Sequence, residues 1–107
     1  MKEELITFET AKLAKEKGFT IGVDLILYLY LEKGFYIGAP TQSLLQKWLR
    51  EQHNLEVISM HADDFVWWKV KVRRLSKVGA ELIKTEMEFN TYEEALEKGL
   101  QEALKLI

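Results

Sequence analysis

The chain contains no cysteine, which excludes disulfides, thiolate metal sites and cysteine nucleophiles together. It has one proline and six glycines in 107 residues, too few for a collagenous, linker-rich or low-complexity chain. Histidine is scarce too, limited to His53 and His61, and neither belongs to a spacing that builds a catalytic triad or a zinc site. No excess of one charge is present: 15 Lys and Arg against 17 Asp and Glu leave a net charge of −2. No global field therefore draws the molecule to nucleic acid or to a membrane. The longest apolar run, Leu25 to Leu31, is far below the roughly 18 residues of a membrane span. Glu3 and Glu4 stand where a secretory signal carries positive charge, so a cytoplasmic protein without membrane attachment is the expectation.

What the chain does have is apolar content. At 48% hydrophobic residues over this length it can bury one core, and residues 1–107 read as a single domain. Thr7 is placed to cap a helix over 7–17, with Phe8, Ala11 and Ala14 on one face and Gly18 as its stop. Val23 to Leu31 alternates like a strand, Glu32-Lys33-Gly34 supplies a turn, and Phe35-Tyr36-Ile37 pairs back; a buried helix over 24–33 fits the same run. Thr41 caps a helix to His53 that carries Leu44, Leu45, Trp48 and Leu49 on one side, and Asn54 ends it. Strands follow at about 55–62, 65–75 and 81–89. Asn90 or Thr91 caps the last helix, with Glu93 or Glu94 as capping-box partner. Tyr92, Ala95, Leu96, Leu100, Ala103, Leu104 and Ile107 give it an apolar stripe, and Gly99 permits a close approach to the sheet. The order α-β-β-α-β-β-β-α predicts an α+β domain with an antiparallel sheet packed against helices. The expected core is Leu45, Trp48, Leu49, Val57, Trp68, Val70, Val72, Ile83, Met87, Phe89, Leu96, Leu100 and Leu104.

The segment Phe65-Val-Trp-Trp-Lys-Val-Lys-Val-Arg-Arg-Leu75 carries the most chemical information. Val66, Trp68, Val70 and Val72 alternate with Trp67, Lys69, Lys71 and Arg73, so one face is apolar and the other cationic. A loop over 76–79 puts Lys69 opposite Glu86, Lys71 opposite Lys84 and Arg73 opposite Leu82. An Asp63-Asp64 turn puts Lys71 opposite Glu56, Lys69 opposite Ile58 and Trp67 opposite Met60. Asp-Asp is a poor two-residue turn, which makes this register the weaker. In both registers the valine face joins Leu55, Val57, Ile83, Thr85, Met87 and Phe89. The outer face then interleaves Glu56, Glu86 and Glu88 with the cations, which favours structural pairing over polyanion binding, since the latter depends on net phosphate neutralisation. What remains unusual there is apolar: Ile58, Met60, Phe65, Trp67 and Leu82. Such a cluster is either covered by the N-terminal elements or is a contact surface for another chain.

His61, Asp63 and Asp64 are the nearest approach to a metal or acid–base cluster, but one histidine with two adjacent turn carboxylates matches no ligand spacing. His53 at a helix end reads as a capping cation or a packed ring. The glycines form no phosphate-binding loop, and no cofactor, metal or catalytic residue is expected. Tyr28, Tyr30 and Tyr36 read as half-buried strand residues.

Two resemblances follow from longer segments. Phe8 to Gly18, Pro40 to Glu51 and Asn90 to Ile107 resemble a family of small bacterial proteins encoded in phage or prophage regions, which implies a setting and no activity. From Pro40 onward the order helix, three antiparallel strands, helix is similar to a double-stranded-RNA-binding domain. That family meets phosphates with a lysine cluster at the start of its last helix. Asn90, Thr91, Tyr92, Glu93 and Glu94 stand there in this chain, so the resemblance implies the architecture without the RNA contact. The expectation is a non-enzymatic, phage-associated protein-interaction module that contacts a protein partner or a second copy through Ile58, Met60, Trp67 and Leu82. The alternative is a nucleic-acid surface of Trp67, Lys69, Lys71, Arg73 and Arg74.

Overall fold

The computed structural model describes residues 5–19, 41–62 and 66–107; the hairpin expected over 23–37 lies outside them. Helix α1 (Phe8–Glu16) starts at Thr7, whose hydroxyl accepts from the Thr10 amide, and Gly18 follows with φ 101°. Helix α2 (Gln42–His53) is capped by Thr41 and ends at Asn54, whose left-handed backbone (φ 55°) lets its amide bond the Leu49 carbonyl. Both boundaries follow from the local rule that a hydroxyl satisfies free amides at the start and an αL residue closes the end. Helix α3 (Tyr92–Leu104) is capped by Thr91, not Asn90, and the Glu94 carboxylate reaches back to the Asn90 amide.

Three strands, β1 (Leu55–His61), β2 (Trp68–Ser76) and β3 (Gly79–Phe89), form one antiparallel sheet in the order β1-β2-β3. The described domain is thus α+β, three helices with a three-stranded antiparallel sheet. Helix α3 packs across all three strands, α2 packs on β1 and α3, and α1 packs on α3. Leu45, Leu49, Leu55, Val57, Val70, Val72, Leu96, Leu100 and Leu104 are buried between helices and sheet, joined by Ile6 and Phe19. Trp48, Trp68 and Phe89 pack against this core while staying partly exposed. Gly99 has the expected role: a Cβ there would lie 2.3 Å from Val70 Cγ2 and 2.7 Å from Val57 Cγ1, so only glycine lets α3 come this close.

The strand pairings correct the expected registers. On the β1 side, Glu56 stands opposite Arg73, Ile58 opposite Lys71 and Met60 opposite Lys69, a slip of two residues from the Asp63-Asp64 arrangement. β1 ends at His61 and β2 begins at Trp68, with the Ala62 amide donating to the Trp67 carbonyl; the expected Asp63-Asp64 turn and Phe65 lie outside the described residues. Because the slip is even, every side chain keeps its face. On the β3 side, Leu75 faces Ala80 and Arg73 faces Leu82 as expected, across a tight turn at Lys77 and Val78. Beyond that point the ladder is irregular twice. Ile83 is an extra residue between the Arg73–Leu82 and Val72–Lys84 pairs, and the ladder shifts again between the Val70–Glu86 and Trp68–Phe89 pairs, where Glu88 has φ 69°.

Each such β-bulge moves the following side chains to the opposite face. Ile83 and Met87, expected in the core, are therefore 36% and 56% exposed. Lys84 and Glu86 instead lie across from Val72 and Val70. Lys84 turns to α3, where its Nζ is 3.0 Å from Glu102 Oε2 and 3.2 Å from Glu86 Oε1.

Candidate interaction surface

The outer face of the sheet is the one turned away from the described helices, and its central row is Lys69, Lys71 and Arg73 on β2. Cross-strand partners share a face, so each cation has defined neighbours. Lys69 lies next to Met60, with the bulge at Met87 on its other side; Lys71 lies between Ile58 and Thr85; Arg73 lies between Glu56 and Leu82. The Arg73 guanidinium is bonded to the Glu56 carboxylate. No carboxylate stands directly across from Lys71 on either strand. The expected interleaving of Glu56, Glu86 and Glu88 with the cations is therefore corrected: Glu56 alone faces a cation across the β1–β2 ladder, and Glu86 lies opposite Val70. Alternation could not show this, because an inserted residue leaves the composition of β3 unchanged while reversing its faces.

The four residues expected to form the apolar contact are only partly brought together. Ile58 and Met60 are neighbours on β1, half-buried and 36% exposed. Trp67, 39% exposed, sits just before β2 at the Met60 end. Leu82, 54% exposed, is on the far strand beside Arg73, separated from Met60 by the lysine row. Met87, exposed and across from the Lys69 end, completes the apolar rim on that side, although unbroken alternation places it in the core. Arg74 does not join the cations: it faces Leu55 and Glu81 on the ladder and lines a small pocket of about 270 Å³ with His53, Asn54 and Ile107.

Both histidines pack against tryptophan rings. His61 lies against Trp68 with ring centroids 3.8 Å apart, and Trp68 meets Tyr92 edge-on at 5.5 Å. A cleft of about 610 Å³ opens beside Trp68, Asn90, Thr91, Tyr92 and Glu93. His53 packs its ring on Trp48 at 4.7 Å. Asp63 and Asp64 lie outside the described residues, and among the described residues no group of three or more His, Asp or Glu is placed to hold a metal ion.

A polar knot joins the three helices. Glu97 on α3 accepts from the Thr7 amide and hydroxyl at 3.1 and 3.0 Å, from the Thr10 hydroxyl, and from Gln42 Nε2 at 3.0 Å. Gln42 also donates to the Glu93 carbonyl, and Gln101 donates to the Thr10 hydroxyl. Thr7, Gln42, Glu97 and Gln101 line a groove of about 570 Å³, but their bonds are to groups of the knot itself. A carboxylate at the start of α1 suits the positive end of that helix, and the buried Thr10 and Gln42 require such partners. The signal for this knot lay in polar residues on otherwise apolar helix faces. Glu102 forms a second centre, held by Lys84, Lys98 and Lys105. The hydrogen bond from Lys84, then that from Lys98, pulls its carboxyl down to about 2.

Fold and surface together define a small α+β domain with one sheet face covered by helices and the other bearing cations between apolar rims. No protein-family model, curated protein sequence or solved structure matches this chain.

Proposed function

We propose that the chain is a non-enzymatic protein-interaction module that works through the outer face of its sheet, in the phage or prophage setting and cytoplasmic location expected from the sequence. The observation that carries this reading is the exposure of Met60, Trp67, Leu82 and Met87 on or beside the face opposite the helices. Exposed methionine and tryptophan side chains grouped on one face match the enrichment of an interface better than that of an ordinary solvated surface. The occupant is a protein surface, a second copy of the chain included. Capture from a host-cell lysate tests the reading when wild type is compared with the Met60→Ser, Met87→Ser double variant. A nuclease-resistant protein captured by the wild type and lost from the folded variant is the expected result; equal capture by both removes the outer face from the interaction.

A nucleic-acid interface is the second reading. It is favoured by one specific observation, the removal of Glu86 from the lysine row to the helix side. Its residues are Trp67, Lys69, Lys71 and Arg73, with Arg74 set apart on the other face. Gel-shift titrations at low salt with duplex RNA, duplex DNA and single strands test it, and absence of binding to all of them ends it.

A further inference from the structure

We infer that the partner of this face presents acidic side chains among apolar ones, an inference that rests on the protein-interaction reading and names the chemistry it selects. Lys71 sits mid-strand between Ile58 and Thr85, half-buried, so an uncharged protein surface laid over Met60, Met87 and Ile58 would strip water from its ammonium without replacing it. That arrangement is unfavourable for a desolvated charge. A carboxylate above Lys71 answers the charge and lets the rims on β1 and β3 bury their apolar area, so complementarity selects the partner.

The same placement disfavours the competing occupants. A second copy stacked face to face about a two-fold axis lays β2 over β2 and brings one lysine row onto the other, where like charges repel. Pairing of two copies along β3 meets a strand bulged at Ile83 and again near Glu88, with Lys84 bound to Glu102. Bulges and edge lysines are devices that block such pairing. Single-stranded nucleic acid needs successive aromatic platforms, and among the described residues Trp67 is the only aromatic beside the lysine row. Its neighbours Met60 and Met87 offer a phosphate chain nothing.

Titration calorimetry with a soluble amphipathic peptide of leucine and glutamate, its glutamine and lysine counterparts, and a single-stranded RNA tests the inference. The glutamate peptide binds about tenfold tighter than the glutamine peptide, the scale of one well-placed interfacial ion pair. Lys71→Gln removes this preference, and Lys71→Glu transfers it to the lysine peptide, both at wild-type melting temperature. Equal binding of the glutamate and glutamine peptides, lost together in the Met60→Ser, Met87→Ser variant, overturns the acidic partner and keeps the interaction surface. Binding of the RNA alone, or of no probe, overturns both. A dimer in light scattering that Met87→Ser disperses overturns the acidic partner in favour of a second copy.

Discussion

Strands β2 and β3 lie side by side, yet they use alternation differently. In β2, Val70 and Val72 are buried while Lys69, Lys71 and Arg73 face outward, and the period of two holds along the strand. In β3 the period is broken near Ile83 and again near Glu88, and the apolar Leu82, Ile83 and Met87 are exposed while Lys84 turns toward α3. Both strands contain a similar mixture of apolar and charged residues. The lesson is that residue type sets what a face can do, whereas ladder continuity sets which face a residue occupies.

The sharpest test of this difference is one substitution made on each strand. Val72→Asp places a carboxylate in the core beneath α3 and is expected to cost about 3 to 5 kcal/mol, the range for an uncompensated buried charge. Met87→Asp adds the same group to an exposed side chain and should change stability by less than about 0.5 kcal/mol. Urea denaturation of both variants measures the contrast. Equal losses would mean that β3 runs without its bulges and that Met87 is buried after all.

Gly99→Ala probes the β2 side from the helix. The added methyl would overlap Val70 and Val57, whose branched side chains have little freedom to withdraw. Overpacking of this kind costs about 1 to 3 kcal/mol, read as a lowered denaturation midpoint with an unchanged slope. The substitution normally favours a helix, so a stabilised variant would show that α3 stands further from the sheet.

Helix ends were legible in the sequence because they depend on contacts within a few residues. Thr7, Thr41, Asn54 and Thr91 each act through a neighbouring amide or carbonyl. The β2 faces were legible for the same reason. The β1 pairing was displaced by two residues without harm, since an even slip preserves sides, whereas the β3 faces were lost to irregularities set by tertiary packing. The candidate surface is correspondingly half legible: alternation marks Ile58, Met60, Trp67 and Leu82 as outward, but it places Met87 in the core and Glu86 beside lysines it does not face. The Glu97 knot left only the mark of polar residues on otherwise apolar helix faces, because its partners Thr7, Thr10 and Gln42 are remote from it along the chain.

Glu88 allows the second bulge to be tested without touching the core. Its φ of 69° lies in the left-handed region, where a side chain costs about 1 to 2 kcal/mol and glycine is nearly free of that penalty. Part of the gain is offset by the greater freedom of glycine in the unfolded chain. Glu88→Gly should therefore stabilise the domain by about 0.5 to 1 kcal/mol, whereas the same change at Glu86, in regular ladder, should destabilise it. Thermal melts of the two variants give the comparison. Destabilisation by Glu88→Gly would argue for ordinary extended backbone at that position.

Acid titration tests where the first bulge delivers Lys84, and its effect is expected to be the smallest because Lys98 and Lys105 also hold Glu102. The Glu102 carboxyl is held at about 2 in the folded chain, below the ordinary 4.5, chiefly by the hydrogen bond from Lys84. A carboxyl with a lowered folded pKa binds fewer protons folded than unfolded. Its contribution is therefore complete above about pH 4.5 and is lost as pH falls toward 2. The partner shift agrees in sign, since Glu102 raises the pKa of Lys84. Lys84→Met should move the Glu102 midpoint upward, followed by NMR of its side-chain carboxyl, and flatten the stability loss below pH 4.5. An unmoved midpoint would place Lys84 away from α3, as uninterrupted alternation from the Leu75–Ala80 pair would have it, and would remove the bulge at Ile83 from the account of β3.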